Sequence, residues 1–596
     1  MKKNTIMLYS AALLSMSLVA CGEKPSVTST SSDEVASSAA SSATSSAVST
    51  ADYTNDDLPK GATTYTRASD GKTVNLTRDT LYRNALAPHV NSHPDADESG
   101  KITKPRLLVA PIRFNEDPTD SKDVVKSHGE EGEQLLKKIK TAFVGTDEET
   151  KAVGGYKSVQ SFYNDSSFNK GGFDVYVLPT WIDAGMTPSE ADKAWAGGIG
   201  ASEFVRSWYL EQYESAGHGL LGESAEPLTA FDTDSDGYID LVWNVYAYPY
   251  QDTTTNWWAY VTYTTNRPNL ESPSVKTLGW ASTAFMSGFN GYDSHTFIHE
   301  TGHTLGLDDY YDYNGAWAPM GGIDYMDHNL GDHNAYSKFQ LGWTSPWVLK
   351  EEDLKGGKTA EITLRASSLS GDCLLLASPD YNGTAFDEYL MLELVGPYGL
   401  CKDDYNNGYQ GTNGFTVPGI RVLHIDARAQ AGNHYGDAFK SADEIGNGAF
   451  DVRLGNSKFG RAGLSTDGDY FPVETTSSSG KVTVEKSSMY QAGVIEATVE
   501  TGNTNLTSYS YQVSNKSLFT ANKRLSFTPT STWAKNYMPS KTNLWNKAKK
   551  KSGGTADNQT YTIDKDCTIN YSMKVKSIVE DPTWGAIAKL TVTVNE

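Results

Sequence analysis

The stretch that decides how this chain is read is Asp293-Ser-His-Thr-Phe-Ile-His299-Glu300-Thr-Gly-His303-Thr-Leu-Gly306-Leu-Asp-Asp309. On a helix His299 and His303 stand at i and i+4, so their imidazoles leave one face a turn apart and can share one ion. Glu300 is rotated by about 100° from His299, close enough to hold a water on that ion but turned away from ligation. Zinc in such a place brings the pKa of its water down toward ~7, and a neighbouring carboxylate can take the proton. Gly306 tolerates positive φ, so the helix can stop there and the acidic residues after it can swing back toward the metal. An amphipathic helix with two surface histidines also produces His-Glu-x-x-His. The continuation through Gly306 to Asp309 is what argues against that simpler origin.

A second acidic segment lies upstream, Asp232-Thr-Asp234-Ser-Asp236-Gly237-Tyr-Ile-Asp240. Carboxylates at positions one, three and five, with glycine at six for the sharp turn, wrap oxygen ligands around calcium. The usual glutamate at position twelve is absent, so Asp240 is expected to close the shell, and Ile239 to anchor the loop in the core. A solvated acidic turn is the competing reading. The role expected of the ion is structural, fixing the strand that follows.

Around these two sites the chain is organised in blocks. Its 596 residues are too many for one compact core, and 38% hydrophobic with 21% charged residues is ordinary for globular material. The formal charge of −22 repels phosphate backbones and argues against a nucleic-acid partner. Lys2 and Lys3 precede an apolar run from Ile6 to Val19, and the run ends Leu18-Val19-Ala20-Cys21. That ending resembles the lipobox of bacterial lipoproteins, in which the cysteine thiol is lipidated after residues 1–20 are removed as a signal peptide. A plain signal peptide or an uncleaved anchor is the simpler alternative. No later run is apolar enough to span a bilayer, so the expectation is an extracytoplasmic protein attached to the lipid membrane through Cys21.

Residues 21–60 are expected to be a tether, because Ser26 to Thr50 is almost wholly Ser, Ala, Thr and Val. Residues 61–104 are polar and turn-rich, either a lead-in or a pro-segment. Order is expected to begin at Arg106-Leu-Leu-Val-Ala-Pro-Ile-Arg-Phe114, a buried-strand run. Helical spacing follows from Val124 to Phe143 and around Gly155 to Tyr163, with strands at Phe173–Leu178 and Leu241–Ala247. This alternation predicts a mixed α/β unit over 105–348. After Trp347 the texture turns to period-two segments, which predicts a β-rich unit over 349–505 and a β-sandwich over 506–596. Cys373, Cys401 and Cys567 are an odd set once Cys21 is lipidated; a Cys373–Cys401 bridge is possible.

Taken with its flanks, the central segment resembles the immune inhibitor A family of secreted metallopeptidases, relatives of the metzincins. The likeness rests on His299-Glu-x-x-His303-x-Leu-Gly-Leu-x-Asp309-x-Tyr311-Asp312. Downstream, Pro319-Met-Gly-Gly-Ile-Asp-Tyr-Met326-Asp resembles that family's Met-turn and Asn334-Ala-Tyr-Ser-Lys338-Phe-Gln-Leu-Gly-Trp343 the helix after it. It covers about residues 100 to 430, and Asp308 departs from it where relatives commonly have proline. The resemblance implies a metzincin-like zinc endopeptidase acting on extracellular proteins or peptides, with Glu300 as general base and Met326 in the Met-turn. It points to Asp309 as third zinc ligand. In an extended chain Asp308 would face the other way, and Asp312 lies beyond two tyrosines. Tyr336 and His328 are candidates to polarise the substrate carbonyl, since some metzincins place a tyrosine in this region. The alternative is a catalytically silent surface-binding protein on the same scaffold, whose natural mark would be loss of Glu300 or of a histidine. A glycan- or protein-binding role for a β unit is a further possibility.

Overall fold

The computed structural model describes residues 51–62, 104–119, 125–251, 255–287, 292–305, 320–379, 388–406, 414–426, 513–529 and 569–595, with short pieces between them that include Leu307, Asp309 and Tyr310. Cys21, the tether before residue 51, Gly306, Asp308, Asp312 and Cys567 lie outside the described residues. The chain is mixed α/β. It begins with a short strand, β1 (Tyr53–Thr54), and the next long strand is β2 (Arg106–Arg113). There follow α1 (Gly129–Val144), α2 (Val159–Ser166), β3 (Asp174–Val177), β4 (Ile182–Asp183), α3 (Gly198–Glu214), β5 (Leu241–Tyr246), β6 (Tyr260–Tyr263), β7 (Thr277–Ser282), α4 (His295–Thr304) and α5 (Ala335–Gln340).

These elements build a six-stranded sheet in the order β3-β2-β5-β7-β6, with β4 also on β2. The β2, β3, β5 and β7 ladders are parallel, whereas β6 runs antiparallel along β7 at one end. A strand covered on both faces needs apolar residues at every position, and Leu107 to Ile112 are all buried. Leu107 and Val109 face one layer with Trp243, Phe143, Phe162, Phe297 and Ile298. Leu108, Ala110 and Ile112 face the other with Val242, Ala201, Val205 and Tyr209. The ligand helix α4 thus belongs to the first layer, and α3 covers the opposite face.

Two five-stranded sheets form a β-sandwich against this unit, and Pro472–Thr476, Val482–Lys486, Thr542–Trp545 and Thr560–Ile563 pair in a separate sheet. The sandwich's first sheet joins β8 (Trp347–Leu349), β10 (Leu374–Ala377), β11 (Glu388–Val395), β12 (Gly419–Asp426) and β13 (Ala492–Val494). Its second sheet runs β1, β9 (Ala360–Arg365), β16 (Gly585–Val594), β15 (Tyr571–Asp581) and β14 (Arg524–Phe527). Alternation divides the first sheet between two cores. Leu390, Leu392 and Leu394 pack against Ile362, Leu364, Leu590 and Val592 of the second sheet. Tyr389, Met391, Leu423 and Ile425 turn the other way and join the layer that holds α4 and α5.

That second interface also holds a buried ion pair. Arg421 on β12 donates from Nη2 to Glu393 on β11 at 2.8 Å, with both side chains almost wholly enclosed. The Glu393 carboxylate also accepts from the amide of Ala335, the first residue of α5, and from the hydroxyl of Ser367. Every lone pair used this way offsets the desolvation that makes an enclosed charge pair expensive.

The structure redraws the sequence-based boundaries here. Across the expected boundary between 349–505 and 506–596, Ala360–Arg365 pairs along Ile587–Val592 within one sheet. Residues 51–60 were expected in the tether, yet Tyr53 pairs with Ala360, Val348 N–H donates to the Pro59 carbonyl, and Leu58 is buried in the sandwich core. Contacts spanning three hundred residues leave no periodic trace in either segment. The Cys373–Cys401 bridge that the sequence left open does not form: both are buried free thiols. Among the described residues no helix is long and apolar enough to cross a membrane.

Leu58 is the main apolar anchor of residues 51–62. Leu58→Ala should therefore lower unfolding stability by about 2–3 kcal/mol, the usual range for a truncated core leucine. Urea denaturation of the purified protein measures this. An unchanged midpoint would mean that the segment detaches without loss.

Candidate metal centre

Helix α4 is placed by contacts on three sides. At its start the Asp293 carboxylate accepts the His295 amide, replacing the side-chain cap that Ser294 does not supply. Along one flank the Trp243 indole donates to Thr301 and the Tyr163 hydroxyl donates to the Ile298 carbonyl. On the face between the two histidines is Gly302, where a Cβ would come within 2.6 Å of the Met326 sulfur. Only glycine lets the turn around Met326 press so close. Asp324 holds that turn by accepting the amides of Met326 and Asn334.

The site itself lies at the end of this helix. His299 Nδ1 is 2.9 Å from the Tyr325 carbonyl and His303 Nδ1 is 2.8 Å from the Leu307 carbonyl. A carbonyl only accepts, so each Nδ1 carries a hydrogen and each neutral ring presents its Nε2 lone pair inward. Those two nitrogens lie 2.8 and 3.3 Å from Asp309 Oδ1. His299, His303 and Asp309 each offer a ligand atom, and these atoms all lie within 4.8 Å of one another. Three electron-pair donors aimed at one another repel unless a proton or a cation stands between them, and two imidazoles with one carboxylate are a zinc-type donor set.

The electrostatics follow from that crowding. Burial opposes charge on both rings, but Asp309 outweighs it, lifting His303 to about 9 and raising His299. Burial likewise works against the Asp309 carboxylate, and the two histidines hold it well below the usual carboxylate range. Glu300 is buried beside them without entering the cluster, and its burial pushes the carboxyl upward. It accepts a backbone hydrogen bond from Val261 on β6, and the Tyr263 hydroxyl on the same strand donates to the His303 carbonyl. The last strand of the six-stranded sheet therefore runs past both the ligand helix and the candidate base.

The other expected residues fall differently. Met326 sits beneath α4, where a Met-turn would be. His328 is half-buried at the rim, close enough for His299 to depress its pKa after burial has done so. Tyr336 is fully buried in the core layer. Several contributors had no signal in the sequence. The carbonyls of Tyr325 and Leu307 act through backbone, which any side chain would supply. Tyr409 reaches in from the sandwich side: its hydroxyl donates to Asp293 at 2.6 Å and its ring stacks on His295 at 4.6 Å. His295, which spacing alone makes a possible ligand, is instead held by the Asn329 carbonyl at 3.1 Å.

In the second acidic loop, Asp232, Asp234 and Asp240 come together within ligand distance, while Asp236 Oδ1 accepts the Tyr238 amide and stands outside the group. Gly237, at φ +86°, turns the loop. Ile239 is fully buried as expected. Asp240 also accepts the amide of Arg106 at 2.6 Å, so the loop pins the start of β2 as well as the strand after it.

No protein-family model matches this sequence, and no curated protein matches it.

The geometry brings Asp309 into the donor group with His299 and His303. Asp309→Ala should weaken zinc binding by more than the roughly 10–100-fold typical of removing an outer hydrogen-bond partner. Asp308→Asn should leave zinc stoichiometric. Metal analysis of the two purified variants decides between them, and the reverse pattern would move the ligand to Asp308.

Proposed function

We propose that this chain is an extracytoplasmic zinc endopeptidase of metzincin-like type, related to the immune inhibitor A metallopeptidases. It would be anchored to the membrane through a lipidated Cys21 and act on extracellular proteins or peptides. The observation that carries the reading is the convergence of His299 Nε2, His303 Nε2 and the Asp309 carboxylate, with Glu300 buried alongside but outside the donor set. An adhesion protein on the same scaffold would have no use for an enclosed carboxylate at that spot.

When bound, zinc supplies Lewis acidity and lowers the pKa of a water toward ~7. His299, His303 and Asp309 would hold the ion, their orientation fixed by the Tyr325 and Leu307 carbonyls. Glu300 accepts the water's proton on its carboxylate and passes it to the departing amine nitrogen. The Val261 amide favours the charged form of the Glu300 carboxylate against the effect of its burial. His328 is the candidate to donate to the carbonyl oxygen of the scissile bond. Calcium at Asp232, Asp234 and Asp240 would serve the fold by neutralising carboxylates beside the start of β2.

Glu300→Gln tests the chemistry without disturbing the donor set. The variant should retain zinc and lose activity by about 10²–10⁴-fold, the range for a positioned general base. Hydrolysis of a fluorogenic peptide library, with and without a zinc chelator, provides the measurement. Comparable turnover by variant and parent protein would remove Glu300 from the mechanism.

A further inference from the structure

The second sheet of the sandwich has one face in the core and one turned away from it. Ala360, Ile362 and Leu364 point inward, with Ala586, Ala588, Leu590, Val592, Met573, Val575 and Leu525. The alternate positions face outward, and their charge differs from that of the whole molecule. Arg365, Arg524, Lys574, Lys576 and Lys589 stand on that face, with Glu361 on the sheet itself and Asp56 and Asp372 beside it. Lys576 sits at an irregularity in the ladder between Val575 and Ser577 and pairs with Glu361, and Arg365 pairs with Asp372. Among the described residues no carboxylate pairs with Arg524, Lys574 or Lys589. The carboxylates of Glu580 and Asp581 lie apart from this band, where β15 turns into β16.

The arrangement works against stability. Arg524 and Lys574 are directly opposite each other in the ladder, and like charges so placed destabilise a sheet. A chain carrying a formal charge of −22 has nonetheless gathered on one sheet face three cations that pair with no carboxylate among the described residues. The same sheet is where the described chain begins, since β1 is its edge strand and the fifty residues before Ala51 leave from there. The first sandwich sheet and the α/β unit lie on the other side. With a screening length of about 8–10 Å at moderate salt, an approaching surface responds to this face and not to the net charge of the molecule.

We infer that the outer face of this sheet docks on an anionic phospholipid bilayer, holding the metal-bearing unit on the far side of the sandwich. The position of the face favours the bilayer over a soluble polyanion. The face belongs to a sheet whose edge strand is where the described chain begins, about thirty residues after Cys21, and a lipidated Cys21 would bring that edge to a bilayer. The inference goes beyond the proposed peptidase and relies on lipidation only for location, so the two are tested apart.

The experiment uses the mature chain from residue 21 carrying Cys21→Ser, which has no lipid. Vesicles of phosphatidylcholine alone and of phosphatidylcholine with phosphatidylglycerol are co-sedimented with it at low and moderate salt. Binding should require phosphatidylglycerol, weaken with salt, and fall at least tenfold when Arg524, Lys574 and Lys589 are all replaced by glutamine, since each basic residue near an anionic surface contributes roughly fivefold. Replacing the exposed Lys137, Lys140 and Lys193 of the α/β unit makes the same charge change and should leave binding intact. Equal loss in both triple variants, equal binding to both vesicles, or binding to soluble polyphosphate but not to vesicles would overturn the inference. Fatty-acid labelling of the unaltered chain reports on lipidation separately.

Discussion

Three electron-pair donors held in a buried corner are the constraint on which the rest of this structure depends. Two backbone carbonyls fix the hydrogens on His299 and His303 at Nδ1, which turns both Nε2 lone pairs toward the Asp309 carboxylate. Left to themselves these groups would part or take up protons, as the raised pKa values of both rings show. Burial prevents them from turning to water instead. The surroundings must therefore hold the corner closed against its own repulsion, and a divalent cation is what the donor set fits.

The closing is shared among layers. Trp243 and Tyr163 fix the helix from the sheet side, while Met326 fills the space that Gly302 leaves. The turn carrying Met326 is tied by Asp324 to Asn334 at the head of α5, and Glu393 of the sandwich accepts the next amide. Arg421 completes that connection from the neighbouring strand and donates on to the Ile323 carbonyl. Removing one member of such an enclosed pair typically costs about 3–5 kcal/mol because the other charge is stranded. The sandwich is thus part of the support for the metal corner and not an appendage joined by a linker.

Much of this was legible in residue order, and the portion that was not has a physical explanation. Period and burial go together in a strand, so Arg106–Phe114, Glu388–Val395 and Gly419–Asp426 could be recognised by composition alone. The i and i+4 spacing placed His299 and His303 on one helical face, and the brief return after the helix brought Asp309 to them. Long-range pairing was invisible: nothing in Tyr53-Thr54 announces Ala360 as its partner. Backbone groups were equally hidden, which is why the Tyr325 and Leu307 carbonyls were missed. In the acidic loop the spacing of Asp232, Asp234 and Asp240 was legible, whereas the Asp236 Oδ1 bond to the Tyr238 amide was not.

X-ray absorption at the zinc edge, on the full mature chain, tests the central claim most directly. The account expects a shell containing two imidazole nitrogens at about 2.0–2.1 Å and carboxylate or water oxygen at about 2.0–2.2 Å, with no sulfur. The shell should lose a carboxylate contribution in Asp309→Ala and keep it in Asp308→Asn. A sulfur-containing shell, an oxygen-only shell, or a spectrum unchanged by Asp309→Ala would contradict it.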